Sequence, residues 1–317
     1  MAAIVDFEVV LPGGVASVQE MHEASGLARA EILEITHTER FPVLADGEPA
    51  WELAAEAGRT LLKRAGVAAG DVDCVIYCGS GEWDLPFWSP AAKVAAELGI
   101  DQAHCFEVAN FCNGVMTALQ VAADRIDLGR SRHVLVLAGD RLSQLVDYAD
   151  PESKALFNFG DAPAAILLGA EGPLELAHAA VRTDPAWADY YSGDIEDDRV
   201  VMRRRGHRSG LGDAYLSNFV ALTGQALSVL EAAPGEVRWF LINQGDKGMH
   251  ERVLAALGIP AERSVFNYHR YGHMGGSDPF LALGDLRAEG RLAPGDLVLV
   301  ASSGMGFTWA ITALRCR

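Results

Sequence analysis

The sequence predicts an α/β protein made of two similar halves, near residues 1–170 and 171–317, packed on each other. Three observations predict it. Several short runs are apolar throughout, as strands covered on both faces are. Helix-like stretches alternate with those runs, and the second half repeats the motif order of the first. In the first half the helix-like stretch Ala50–Ala65 precedes the apolar run Val72-Asp73-Cys74-Val75-Ile76-Tyr77-Cys78. Leu98-Gly99-Ile100 then leads into a strand-like stretch over 105–108, and Cys112-Asn113-Gly114 opens a helical stretch that runs to about Asp127. The turn Gly129-Arg130 and strands over 133–140 and 164–168 follow. In the second half the run Val237–Ile242 precedes Leu257-Gly258-Ile259, which leads into 264–267. Gly272-His273-Met274-Gly275 opens the next helical stretch, Gly290-Arg291 turns, and 297–301 and 307–313 are the closing strands.

Half of the residues are hydrophobic and 22% are charged, a globular composition that excludes disorder and collagen-like repeats. The net charge of −17 argues against nucleic acid and anionic membranes as partners, because a polyanion is repelled at long range. No apolar run approaches the roughly 18 to 20 residues of a membrane-spanning helix. Residues 1–8 lack a cationic region and carry acids, so they do not read as a signal peptide, and a cytoplasmic chain is expected. The five cysteines are odd in number, so no disulfide framework is expected. Cys74 and Cys78 fall in an apolar strand and not in a chelating turn, so no metal site is expected either.

The repeat sets Cys112 and His273 at equivalent strand-to-helix turns. A helix N-terminus carries partial positive charge and unpaired N–H groups, which favour a thiolate. Phe111-Cys112-Asn113-Gly114 therefore reads as a mount for a nucleophile, with Gly114 letting the backbone turn tightly. Most cysteines are buried and inert. A histidine at the equivalent turn favours the nucleophile, because a thiolate needs a proton carrier within reach. Asp278 follows His273 across a Gly-rich turn, a spacing at which a carboxylate orients an imidazole. The same spacing equally suits a cap on the helix that begins near Pro279.

Further segments carry a family resemblance. Phe106-Glu107-Val108 before Ala109-Asn110-Phe111-Cys112-Asn113-Gly114, then Asn158-Phe159-Gly160-Asp161-Ala162, and the ending Gly304-Met305-Gly306-Phe307-Thr308-Trp309 are the matching pieces. Together they resemble β-ketoacyl-acyl-carrier-protein synthase III of the thiolase superfamily, over essentially the whole chain. The resemblance implies a thiolase-like fold, two duplicated βαβαβαβ halves in a five-layered αβαβα sandwich. It also implies a homodimer with the active site near its interface. It further implies no permanently bound cofactor, with an acyl-coenzyme A or a phosphopantetheine thioester on acyl carrier protein as substrate.

The departures from that family are specific. Condensing members carry Cys, His and Asn. Their His opens a His-Gln-Ala-Asn motif where this chain has Asn243-Gln244-Gly245-Asp246, and their Asn follows Gly where this chain has Gly272-His273. Asn243 and His273 still offer two donors to a malonyl thioester carbonyl, so condensation stays open on donor count. Gly-His-x-Gly-x-x-Asp, present over 272–278, instead resembles the ester- and amide-forming acyltransferases of antibiotic pathways. Carried over, Cys112 is the acylated nucleophile, His273 the base on the acceptor, and Asp278 its orienting partner. The same resemblance implies that the N–H groups of Cys112 and Met305 form the oxyanion hole, reached through the turn from Gly304 to Gly306. An alcohol must lose a proton as it attacks, which requires such a base.

Phe87, in Trp83-Asp84-Leu85-Pro86-Phe87-Trp88, falls where the family places an aromatic that reaches the neighbouring subunit's acyl pocket. An aromatic cluster at an interface is equally expected without a pocket. Arg203-Arg204-Arg205, with His207 and Arg208, is the one basic run of this acidic chain. It reads either as a solvated loop or as a contact for coenzyme A phosphates or an acidic carrier protein. Lys247 falls where the family approaches its pantetheine tunnel. Trp187, Tyr190 and Tyr191 either wall an acceptor site or pack, and His250 and His269 are expected to be structural or at the surface. The resulting expectation is an acyltransferase of secondary metabolism that delivers an acyl group through Cys112 to a sugar or polyketide hydroxyl, or to an amine. The alternatives are a decarboxylative carbon–carbon condensing enzyme and a non-catalytic ketosynthase-like partner subunit. Retention of Cys112, His273 and the glycine-rich ending argues against the last.

Overall fold

The computed structural model describes residues 1–196, 199–206 and 208–317. In chain order β1 (Ala3–Val9) and β2 (Gly14–Ser17) precede α1 (Val18–Ser25), α2 (Arg29–Thr36), β3 (Arg40–Val43) and α3 (Ala50–Ala65). Next come β4 (Cys74–Gly79), α4 (Pro90–Leu98), β5 (His104–Ala109), α5 (Gly114–Asp127), β6 (Val134–Ala138) and β7 (Ala164–Gly169). Then β8 (Leu174–Thr183), the hairpin β9 (Tyr191–Glu196) and β10 (Arg199–Arg204), α6 (Leu211–Val229) and β11 (Val237–Ile242) follow. The chain ends with α7 (Lys247–Leu257), α8 (Asp278–Ala288), β12 (Leu297–Gly304) and β13 (Thr308–Cys316).

Nine strands form one mixed sheet in the order β11-β12-β13-β8-β1-β7-β6-β4-β5. Its two arms follow the same plan. In one, β4 is parallel to β6 while β7 and β1 run antiparallel; in the other, β12 takes the place of β6, with β11, β13 and β8 as the counterparts. The arms meet through β1 and β8, at Ala3 with Glu175 and Ile4 with Leu174. The repeat read in the sequence is thus a repeat of topology, with one exception. Residues 264–267, expected to mirror β5, form no strand, so β11 is the edge of its arm.

Helices cover both arms. α3 and α4 pack on the outer face of β4, β6 and β7 through Leu61, Val94, Leu135 and Leu167. α6 and α7 do the same for β11, β12 and β13 through Phe219, Leu254, Phe240 and Trp309. α5 and α8 lie between the arms, where Met116, Leu119, Phe280 and Leu283 meet Ile76, Ile166, Leu241 and Val300. Three apolar slabs separated by two sheet layers give the five-layered αβαβα sandwich of the thiolase-like fold. Burial of that slab material is what holds the arms together, since each fully buried Leu, Ile or Phe contributes about 1.5–3 kcal/mol.

The repeated glycines have a common cause. Gly99 and Gly258 both end their helices with φ near +70°, and Ile100 and Ile259 each donate N–H back to the last turn, at 2.8 and 3.0 Å. Only a residue without a Cβ adopts that conformation freely, and the isoleucine that follows is then buried. The Leu-Gly-Ile triplets recur because the same helix stop recurs.

Candidate active site

The two equivalent turns meet at one point. Cys112 lies in the 3-10 turn Phe111–Asn113, between β5 and α5, and Gly275–Ser277 forms the matching turn ahead of α8. A Cβ on Gly276 would lie 2.5 Å from Val115 and 3.1 Å from the carbonyl of Cys112. Only glycine lets the turns approach this closely. Phe111 takes φ +49°, a left-handed conformation that costs a non-glycine residue about 1–3 kcal/mol, and this sets the sharp entry to the cysteine. Ser302 Oγ donates to the Cys112 carbonyl at 2.9 Å, and Thr308 Oγ1 donates to Asn110 at 3.1 Å. The β12–β13 hairpin thereby pins the turn from the other arm.

Cys112 Sγ lies 3.3 Å from His273 Nε2, and His273 Nδ1 lies 2.6 Å from Asp278 Oδ2. All three side chains are buried, with 6%, 4% and 3% of the residue exposed. The Asp278 carboxylate also accepts the backbone N–H of Gln244 at 2.7 Å and of Met274 at 3.0 Å. It makes no side-chain cap on α8, so the capping role that the spacing also allowed is not taken. His273 is held by its backbone too. Its N–H donates to Asn158 O at 2.5 Å, and Gly160 N–H donates to its carbonyl at 3.0 Å. The Asn158-Phe159-Gly160 segment is therefore a strap for the imidazole, and the Phe159 ring packs edge-on against it.

Burial works against charging His273. The Cys112 sulfur and the Asp278 carboxylate outweigh it and raise its pKa to about 10. At neutral pH the resting ring is an imidazolium between two acidic groups. A cavity of about 280 Å³ opens onto Cys112 and His273, walled by Tyr191 and Phe307 and edged by Asn243, Ser303 and Met305.

The remaining expected residues fall in different places. Asn243 lines the cavity, with its amide paired to the Ser303 backbone at 3.2 Å and 3.1 Å. Met305 and Gly306, with φ +113° at the glycine, form the turn of the β12–β13 hairpin beside Cys112. Gly304 permits that approach, since a Cβ there would lie 2.7 Å from Asn110 O. Lys247 is exposed at the start of α7, next to the cavity-lining Asp246.

The basic run departs from expectation. Arg203 binds Asp147, Asp150 and Glu196 at 2.8–2.9 Å, so three carboxylates neutralise its charge. Arg205 pairs with Asp194, and Arg208 donates to the Ala186 carbonyl and lies over the Trp187 ring. Arg204 ends β10, and His207 lies outside the described residues. A patch free to bind phosphate is not what Arg203 and Arg205 form, because neighbouring acids fold onto them. Phe87 stands fully exposed with φ +51°, and it is not among the residues lining the Cys112 cavity. Among the described residues no cluster of metal-ligating side chains is present, and no helix is long and apolar enough to cross a membrane.

Residues 106–185 match the family described as 3-oxoacyl-[acyl-carrier-protein] synthase III, and residues 227–316 match its C-terminal counterpart. The chain is 28% identical to β-ketoacyl-[acyl-carrier-protein] synthase III of Rhodospirillum centenum, over 96% of each chain. It is 30% identical to the enzyme of the same name from Rhodobacter capsulatus, over 88% of each. The chain belongs to the β-ketoacyl-[acyl-carrier-protein] synthase III family. The fold agrees: the synthase III structure from Aquifex aeolicus superposes with a TM-score of 0.89 at 22% identity, over 99% of this chain and 100% of that one. As a member of the synthase III family the chain is an acyl-transferring enzyme of the thiolase superfamily, and the family works on coenzyme A or carrier-protein thioesters without a permanent cofactor. Within this synthase III fold the sequence reading missed Tyr215 and Ser303, which both line the cavity. Tyr215 sits on α6, which has no motif in the repeat to mark it. Tyr191 proves to be cavity wall, while Trp187 and Tyr190 pack into the outer slab.

Proposed function

We propose that the chain transfers an acyl group from a coenzyme A or carrier-protein thioester, through acyl-Cys112, to a hydroxyl or amine acceptor. The observation that carries this reading is the unbroken relay from Cys112 Sγ to His273 at 3.3 Å and from His273 to Asp278 at 2.6 Å. In the first half-reaction the Cys112 thiolate attacks the thioester carbonyl. A carbon–sulfur bond to Cys112 forms, the donor's carbon–sulfur bond breaks, and the leaving thiolate takes the proton of the His273 imidazolium. Acylation removes the negative charge from Cys112, the strongest influence raising the His273 pKa. The imidazole is left neutral and basic when the acceptor arrives. His273 Nε2 then takes the acceptor's proton as its oxygen bonds to the acyl carbon; the bond to Cys112 breaks and the thiolate–imidazolium pair returns. Asp278 fixes the tautomer. N–H groups of Cys112 and Met305 stabilise the oxyanion.

The reading includes a cytoplasmic homodimer in which the halves 1–170 and 171–317 act as one catalytic body, Phe87 enters the partner's acyl site, and Lys247 meets the donor at the cavity mouth. A place in secondary metabolism, with a sugar or polyketide hydroxyl as acceptor, belongs to the same proposal. A second reading, decarboxylative carbon–carbon condensation, is favoured by the names of the relatives. Intact-mass spectrometry after incubation with acetyl-coenzyme A tests the shared first step: the acetyl increment appears in the wild type and is absent in Cys112→Ala. Loaded enzyme is then given an alcohol or a malonyl thioester. Ester formation without carbon dioxide supports the proposal; carbon dioxide release with a β-keto product replaces it with condensation.

A further inference from the structure

The cavity contains a polar group that the Cys112, His273 and Asp278 chemistry does not use. Tyr215 from α6, Ser303 from β12 and Asn243 after β11 face one another within it. Ser303 Oγ lies 3.4 Å from the Tyr215 oxygen and 3.5 Å from Asn243 Oδ1. Both distances are at the outer edge of hydrogen bonding. The serine has a single hydroxyl proton and serves at most one of those acceptors. Among the described residues the Tyr215 hydroxyl has no other hydrogen-bond partner. Packing fixes the ring, since it stacks edge-on against Phe307 at 5.7 Å and Trp309 at 5.5 Å. Burial raises the phenol's pKa above its ordinary value, and the nearby Cys112 charge adds to it. Tyr215 therefore stays protonated and acts as a donor, never as a second base. Two hydroxyls held in an apolar wall, each with only a weak partner, make a site that a ligand oxygen satisfies better than the protein does.

We propose that Tyr215 and Ser303 form an acceptor subsite that binds an oxygen neighbouring the attacking hydroxyl, so that polyhydroxylated acceptors of the sugar class are selected over simple alcohols. The inference rests on the reading of the chain as an acyl-Cys112 transferase. Its physical basis is that a donor in a part-buried pocket, once an acceptor has displaced water from it, penalises any acceptor lacking the matching oxygen. Two further features fit. The subsite shares its cavity with both Cys112 and His273, so a molecule anchored there is within the space where its hydroxyl meets the acyl carbon. The wall formed by Tyr191 and Phe307 offers flat apolar surface to the faces of a ring.

Single-turnover discharge tests it. Enzyme loaded with acetyl-coenzyme A and freed of excess donor is mixed with methyl glucoside or with cyclohexanol, and loss of the acetyl increment is followed by mass. The wild type is expected to discharge to the glucoside at least about 10-fold faster, as expected for one well-placed hydrogen bond. Tyr215→Phe and, separately, Ser303→Ala are expected to raise the apparent KM for the glucoside and erase most of that preference, while the rate of acetyl loading falls far less than the rate of discharge. Equal wild-type rates with the two alcohols, or an undiminished preference in both variants, overturns the subsite. So does loading that slows as much as discharge, because the hydroxyls would then serve the donor. Absence of discharge to either alcohol instead overturns the acyltransferase reading, and the subsite with it.

Discussion

The proton on His273 is set by the sulfur beside it. Burial disfavours the charged ring, yet Cys112 and Asp278 lift its pKa from 6.5 to about 10. The folded value lies above the unfolded one. The pair's stabilising contribution is therefore complete below about pH 6.5 and is lost as the pH rises through about 10. Acetyl loading of Cys112 should accordingly hold across neutral pH and fall as the pH passes about 10, where the proton for the leaving thiolate is gone. Cys112→Ala removes the strongest raising influence, so imidazole NMR titration should find His273 with a lower pKa in that variant; an unchanged value would refute the coupling. Cys112, His273 and Asp278 were all legible in the sequence, because the repeat put the first two at equivalent turns and Asp278 lies close in the chain. Tyr215 and Ser303 were not. They reach the cavity only because α6 packs on β13 and β12 ends beside Asn243, contacts between segments far apart in sequence.

At the scale of elements, the site depends on how closely two turns approach. Gly276→Ala would drive a methyl group against Val115 and the Cys112 carbonyl, at 2.5 and 3.1 Å. Overpacking of this kind costs about 1–3 kcal/mol, and it also pushes His273 away from Cys112. The variant should melt several degrees lower and load acetyl far more slowly; wild-type values of both would show that the turns have slack. Most elements were readable from apolar periodicity and from glycine helix stops, and Ala50–Ala65 was placed to the residue. Residues 264–267, which the repeat sets opposite β5, form no strand although Val265 and Phe266 are apolar. In the structure Ser264 binds the Phe240 carbonyl and Asn267 binds Gln244 and Asp285, so side chains take the place of a strand ladder. The strap from Asn158 to Gly160 was visible as a motif, but its task of holding His273 appears only once β6–β7 and α8 are brought together.

For the whole molecule, the charge of −17 and the fate of the arginines belong together. Arg203 is surrounded by Asp147, Asp150 and Glu196, which the sequence places tens of residues apart or beyond a hairpin turn, so the basic run looked freer than it is. Phe87 is the opposite case: an apolar ring left wholly in water beside the exposed Leu85. Burying such a ring against a second copy removes apolar area worth about 25 cal/mol per Å². Phe87→Ser should weaken the self-association of the proposed homodimer in analytical ultracentrifugation, and an unaltered monomer–dimer equilibrium would separate Phe87 from any interface. The central claim is that His273, oriented by Asp278, takes the acceptor's proton from a hydroxyl attacking acyl-Cys112. Its most direct test is the discharge of preformed acetyl-Cys112 by an alcohol, followed by intact mass in the wild type, Asp278→Ala and His273→Ala. Loss of the base or its orienting carboxylate should slow discharge about 100-fold or more while the acetyl-enzyme itself persists. Discharge at the wild-type rate in both variants would contradict the account.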